Sequence, residues 1–154
     1  MILKIILAED HVIVRNGIKL LLEYQSLVEV IGESSSGQGV LYLIASGVVP
    51  DIVITNINIP NLDGIALIKA LKILHPLVKV IILSMIDSEK YVAQAFHDRS
   101  HGYLLKNVAE DELIFALKTV SNGAKYLCGE LAQKLLDKLI GKSVIFLPSI
   151  SSSV

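Results

Sequence analysis

Two carboxylates stand side by side at Glu9-Asp10, directly after the apolar run Leu3–Ala8. Three further polar groups occupy comparable places. Asn56 follows the run Asp51–Thr55, Ser84 follows Val78–Leu83, and Lys106 follows Gly102–Leu105. Adjacent carboxylates with another oxygen ligand nearby suit a hard cation such as Mg²⁺. A hydroxyl and an ammonium suit the oxygens of a phosphoryl group. Together these groups describe a site for phosphate and magnesium, except that the middle position carries a carboxamide and no carboxylate.

Such groups meet only if the elements bearing them end on one edge. Leu3–Ala8 is apolar apart from Lys4, with the unbroken run Ile5–Ala8, as in a strand covered on both faces. Val14, Ile18, Leu21 and Leu22 then recur at helical spacing. Val28–Gly32 is a short β-rich stretch. Val40, Leu43 and Ile44 predict a helix opened by the Ser34–Gly37 loop and stopped before Pro50. Asp51–Thr55 is a third strand. Leu67, Leu71 and Leu74 mark a helix capped by Asp63 and followed by Pro76. Val78–Leu83 is a β-branched fourth strand, Val92, Ala95 and Phe96 lie on a fourth helix, and Gly102–Leu105 is a fifth strand. Asn107 with Glu110 has the spacing of a capping box. It opens a helix carrying Leu113, Leu117 and Val120 that ends near Asn122-Gly123.

Five strands alternating with five helices predict a parallel sheet with helices on both faces. In such a sheet the crevice lies at the carboxyl ends of the strands, where the strand order reverses. That edge is where Glu9, Asp10, Asn56, Ser84 and Lys106 all fall. Ala132, Leu135, Leu136 and Leu139 add one more helical stripe, read as a linker helix. The organisation expected is therefore a domain over residues 1–125, a linker helix over 126–141 and a loose, serine-rich tail over 142–154.

Composition narrows the class. The chain has 154 residues, 53% of them apolar and only 5% aromatic, so its core must be aliphatic. No apolar run reaches the ~18 residues that span a bilayer. The N-terminus lacks a basic region and a small-residue cleavage site, which argues against a signal peptide. A single cysteine, Cys128, excludes an internal disulfide and fits a reducing cytoplasm. A net charge of −1 supplies no basic field for nucleic acid. The expected location is cytoplasmic, with neither DNA nor membrane bound by this chain alone.

Several stretches carry a closer likeness. Ile6–His11, Pro50–Pro60, Asp63-Gly64, Leu83-Ser84 and Gly102–Lys106 resemble, in order and spacing, the receiver domain of two-component response regulators. The likeness is to the LuxR/NarL subfamily and covers roughly residues 2–125. It implies a flavodoxin-like, CheY-like fold with five parallel strands in the order 2-1-3-4-5. It further implies that Glu9, Asp10 and the backbone carbonyl of Asn58 hold Mg²⁺, that Ser84 and Lys106 contact a phosphoryl group, and that Tyr103 is an aromatic switch. Its partner would be a histidine kinase, and its dimer face would be the fourth helix, fifth strand and fifth helix. Position 56 would be the aspartate that accepts phosphate.

Asn56 departs from that pattern. A carboxylate oxygen attacks phosphorus to form an acyl phosphate, whereas a carboxamide is a poor nucleophile. Loss of one charge also predicts weaker Mg²⁺ binding. The first expectation is a receiver module that is not an enzyme and signals by protein contacts without phosphate at position 56. The alternative is an ordinary phospho-receiver of a LuxR/NarL-type transcription regulator, truncated or substituted at its acceptor. A phosphatase on a similar sheet would need an Asp-x-Asp-x-Thr pattern after strand one, which is lacking here. Direct DNA binding would need a helix-turn-helix, for which too few residues follow the fifth helix. His11 is read as hydrogen-bonded to its acidic neighbours, Thr55 as pointing away from the pocket, and Cys128 as a small apolar side chain.

Overall fold

The computed structural model describes residues 2–141. Its six strands are β1 (Leu3–Ala8), β2 (Val28–Ser34), β3 (Ile52–Thr55), β4 (Lys79–Ser84), β5 (Gly102–Leu105) and β6 (Tyr126–Leu127). Its helices are α1 (Val12–Glu23), α2 (Gly37–Ala45), α3 (Gly64–Leu74), α4 (Glu89–His97), α5 (Glu110–Ser121) and α6 (Gly129–Gly141). The strands form one parallel sheet in the order β2-β1-β3-β4-β5-β6.

The expected sheet had five strands, and the structure adds a sixth. After α5 the chain turns at Gly123, whose φ of 95° suits glycine. Tyr126 then pairs with Gly102, and Leu127 with Tyr103. A two-residue strand has no periodicity to read, so β6 lay hidden in the stretch assigned to the linker. The linker helix itself begins at Gly129. The residues read as a loose tail lie outside those described, and no helix among the described residues is long and apolar enough to cross a membrane.

The continuous apolar runs are explained by cover on both faces. Every residue of β3 and β5 is buried, as is all of β4 except Lys79. Burying each such aliphatic side chain contributes about 1.5–3 kcal/mol before chain entropy is subtracted. α3 packs against α2 and α4. The loop after α1 meets the start of α5 where Gln25 donates to Glu110 at 3.4 Å.

Local chemistry sets the helix ends. Asp63 accepts from the Ala66 amide at 2.9 Å, the expected cap of α3. Ser36 does the same for α2 through Gly39 at 3.0 Å. The capping box expected at Asn107 and Glu110 does not form: Ala109 occupies the N-cap of α5, with no side-chain bond. Asp111 and Glu112 still place charge in that first turn, where the helix dipole favours it. Lys79 reaches the other end of α5, donating to the carbonyls of Val120 at 3.0 Å and Ser121 at 3.2 Å.

Candidate functional site

The parallel register brings the strand ends together. Ala8 pairs with Thr55, Thr55 with Ile82, and Ser84 with Leu105. Backbone bonds continue past the strands: Asn56 N–H donates to Ala8 at 3.2 Å, and Lys106 N–H to Ser84 at 2.9 Å. Glu9, Asn56, Ser84 and Lys106 thus follow one another around a single edge. β1 and β3 flank the reversal of strand order, and they carry Glu9-Asp10 and Asn56.

Glu9 is the centre of this edge. It is only 1% exposed, yet it is a carboxylate. Burial alone would push its pKa up, but the Lys106 ammonium, Asp10 and the Asn56 carboxamide outweigh burial and hold it below the ordinary value. Lys106 Nζ is in contact with Glu9 Oε1. The other oxygen, Oε2, accepts from the Asp10 amide at 2.9 Å and from Asn56 Nδ2 at 3.4 Å. Asn56 is 8% exposed, and its Oδ1 accepts from the Ile57 amide at 2.8 Å. The carboxamide is therefore committed on both sides.

Asp10 stands at the rim. Its Oδ1 is shielded from water and accepts no hydrogen bond, with the His11 ring beside it at 3.3 Å. Ligand atoms of Glu9, Asp10 and His11 lie within 4.8 Å of one another. A carboxylate oxygen that accepts no hydrogen bond, beside a second carboxylate, is a donor set that fits a hard cation. The ammonium already on Glu9 would compete with it. His11 Nδ1 lies 3.3 Å from Asp10 Oδ1 and 3.5 Å from Glu9 Oε2, the acidic neighbours it was expected to meet, although its side chain is 67% exposed. Asn58 is exposed in the loop between β3 and α3.

Ser84 and Tyr103 meet at one residue. The buried Ser84 Oγ accepts from the Ile86 amide at 3.0 Å. Tyr103 O–H donates to the Ile86 carbonyl at 2.7 Å. The ring is fully buried, and burial pushes the phenol up to about 12. Tyr103 is thus packed inward and tied to the segment that leaves Ser84. Thr55 is buried, and its hydroxyl is bound to the Asn56 carbonyl at 2.9 Å.

Sequence reasoning missed Arg15. Its Nη1 donates to the Glu9 carbonyl at 2.7 Å, and its Nε lies 3.4 Å from Glu33. Lys19, four residues on, also reaches Glu33 at 3.1 Å. These pairs tie α1 to β1 and β2 beneath the site. The only signal was helical spacing of two cations, which is commonplace on a solvated face.

Residues 5–118 match the response regulator receiver domain family. The chain is 31% identical over 136 residues to the transcriptional regulatory protein DegU of Brevibacillus brevis, covering 88% of this chain and 57% of that protein. It is 32% identical over 142 residues to the transcriptional regulatory protein MctR of Rhizobium johnstonii, covering 92% and 64%. It therefore spans less than two thirds of the length of either relative. The isolated receiver domain of RcsB from Salmonella enterica serovar Typhimurium, solved with the phosphomimetic BeF3-, superposes with a TM-score of 0.79 at 27% identity over 86% of this chain and 98% of that one. A LuxR-family response regulator from Aurantimonas sp. SI85-9A1 shares the fold, with a TM-score of 0.85 at 24% identity over 91% and 99%. A matched region that carries all five strand-end positions at their expected places leaves one assignment: the chain belongs to the response regulator receiver domain family, among relatives of the LuxR and NarL type.

Proposed function

We propose that this chain is a cytoplasmic receiver module of a two-component system that takes no phosphoryl group at position 56 and signals through protein contacts. What supports this reading is the carboxamide of Asn56, at the position the resemblance gives to the acceptor, bonded to Ile57 through Oδ1 and facing Glu9 through Nδ2. The carboxamide is neutral and its nitrogen lone pair is drawn into the carbonyl, so it is a far poorer nucleophile toward phosphorus than an anionic carboxylate. The chain itself then performs no covalent chemistry and is not an enzyme.

The rest of the edge keeps its chemistry. Glu9, Asp10 and the Asn58 carbonyl would hold Mg²⁺ weakly, and the ion would supply charge neutralisation for an anion at the edge. Lys106 and Ser84 would meet the oxygens of such an anion. A histidine kinase is the proposed upstream partner, and a homodimer through α4, β5 and α5 the proposed assembly. β6 now lies along β5 at the margin of that face. DNA is not a proposed ligand of this chain by itself.

The test is intact-protein mass after incubation with Mg²⁺ and a small acyl-phosphate donor, with Asn56→Asp in parallel. Labelling of the variant alone supports the proposal and shows the edge to be competent otherwise. Labelling of the unaltered chain would overturn it. Labelling of neither would point to an edge that has lost more than its acceptor.

A further inference from the structure

The segment joining β4 to α4 is held from two directions. On the site side, Ile86 binds Ser84 through its amide and Tyr103 through its carbonyl, at 3.0 and 2.7 Å. On the far side, α6 grips the next residues. Lys134 Nζ donates to Asp87 at 2.7 Å, and Lys138 Nζ to Glu89 at 2.5 Å. Lys134 also lies 3.7 Å from Glu130 on its own helix, so it is pre-aimed. Tyr103 touches both partners, because its backbone carbonyl accepts from Cys128 N–H at 3.1 Å, just ahead of α6.

The seat of α6 is ionic more than apolar. Leu131 is buried and Leu135 half-buried, and both line a cavity of about 530 Å³ with Asp87, Glu89, Lys134 and Lys138. A helix anchored at one end by Leu131 and further along by two exposed pairs can swing with little loss of close packing. Exposed pairs are individually weak and are screened by salt. They suit a contact that opens and closes.

We propose that α6 is a salt-sensitive clamp on the β4–α4 segment, coupling the position of Ser84 and Tyr103 to the C-terminal end of the described chain. Any pull on Ser84 away from Ile86 shifts Asp87, one residue on, and misaligns its bond to Lys134. By linkage, release of α6 loosens Ile86 in turn. The clamp rests on this geometry and is independent of whether Asn56 accepts a phosphoryl group.

Hydrogen exchange read by mass spectrometry on the full chain tests the clamp. The variants are Lys134→Ala with Lys138→Ala, and Tyr103→Phe, each at about 0.02 M and 0.5 M salt. The double lysine variant is expected to speed amide exchange over 132–141 roughly three- to tenfold at low salt, and to speed exchange over 85–89 as well. High salt should produce the same change in the unaltered chain and little in the variant. Tyr103→Phe should loosen α6 from the other side. Exchanging the charges, Asp87→Lys with Lys134→Asp, should restore slow exchange in both segments. Unchanged α6 exchange in the lysine variant, or faster α6 exchange with 85–89 unaffected, would overturn the clamp. The lysines and Asp87 are exposed, so these variants keep the fold intact whatever Tyr103→Phe does.

Discussion

A buried carboxylate is stable only while its partners stay, and Glu9 has two that are open to change. Asn56→Asp replaces a donor 3.4 Å from Glu9 with a second carboxylate. Like charges so placed repel, and one of the pair must titrate upward. In chelator the variant should lose roughly 1–2 kcal/mol and several degrees of thermal midpoint. Adding Mg²⁺ should raise the variant's midpoint more than that of the unaltered chain, since cation affinity follows ligand charge. An equal or higher midpoint for the variant in chelator, by scanning calorimetry, would refute this account. Lys106 is the other partner, with its side chain 14% exposed. Lys106→Met should cost about 3 kcal/mol in urea unfolding, because it strands Glu9 without a counter-charge. Adding Glu9→Gln to that variant should recover part of the loss, which separates charge from shape.

At the level of elements, the loops between strands and helices carry tight contacts. α3 begins beneath Asn56, and a Cβ on Gly64 would sit 2.4 Å from the Asn56 carbonyl oxygen. Gly64→Ala must therefore move backbone, and it should cost about 2–3 kcal/mol while also weakening the proposed Mg²⁺ site at the edge. Urea titration together with Mg²⁺ titration checks both. At the opposite edge, His101 Nδ1 accepts from the Val80 amide at 3.1 Å. Burial, then Lys79 and Lys125, hold its pKa below the ordinary 6.5. The unfolded chain thus binds a proton that the folded chain refuses, so stability is complete above pH 6.5 and falls as pH drops below it. His101→Gln should flatten the thermal midpoint between pH 7 and pH 5.5, whereas an unchanged slope would clear His101 of the effect. Element legibility followed the same physics. β1, β3 and β4 were readable because cover on both faces demands apolar runs, broken only by Lys4 and Lys79 near the strand starts, and the α3 cap because Asp63 stands just before its first turn. β6 was not readable, since two residues carry no pattern. The α5 cap was misread because Asn107-x-x-Glu110 has the right spacing in the wrong turn. The site residues were legible as strand ends, but Arg15 was not: it binds a backbone carbonyl, which leaves no mark on the residue types.

Among the described residues, a single aliphatic core runs from Val28 through the sheet to Cys128 and Leu131. The apolar content exceeds what that core holds, and the surplus lies outside, as at Leu77, which is 91% exposed. Hydrophobicity read from composition alone therefore overstates the interior. One core implies one cooperative unit, with α6 attached to it through Leu131 and its ionic contacts. With no Trp and five Tyr, tyrosine fluorescence reports on β5 and β6 through Tyr103 and Tyr126, whereas far-UV circular dichroism weighs all the helices. Ile81, on the central β4 and 0% exposed, should cost about 3–4 kcal/mol as Ile81→Ala. Leu77→Ala should stay within about 0.5 kcal/mol. Both variants should shift the urea midpoint, if at all, without changing the slope, and the two signals should coincide. A far-UV transition that begins before the tyrosine signal moves would mean that a helical part melts ahead of the sheet. α6 is the element whose seat leaves it most open to that, and its separate melting would show the core to end at β6.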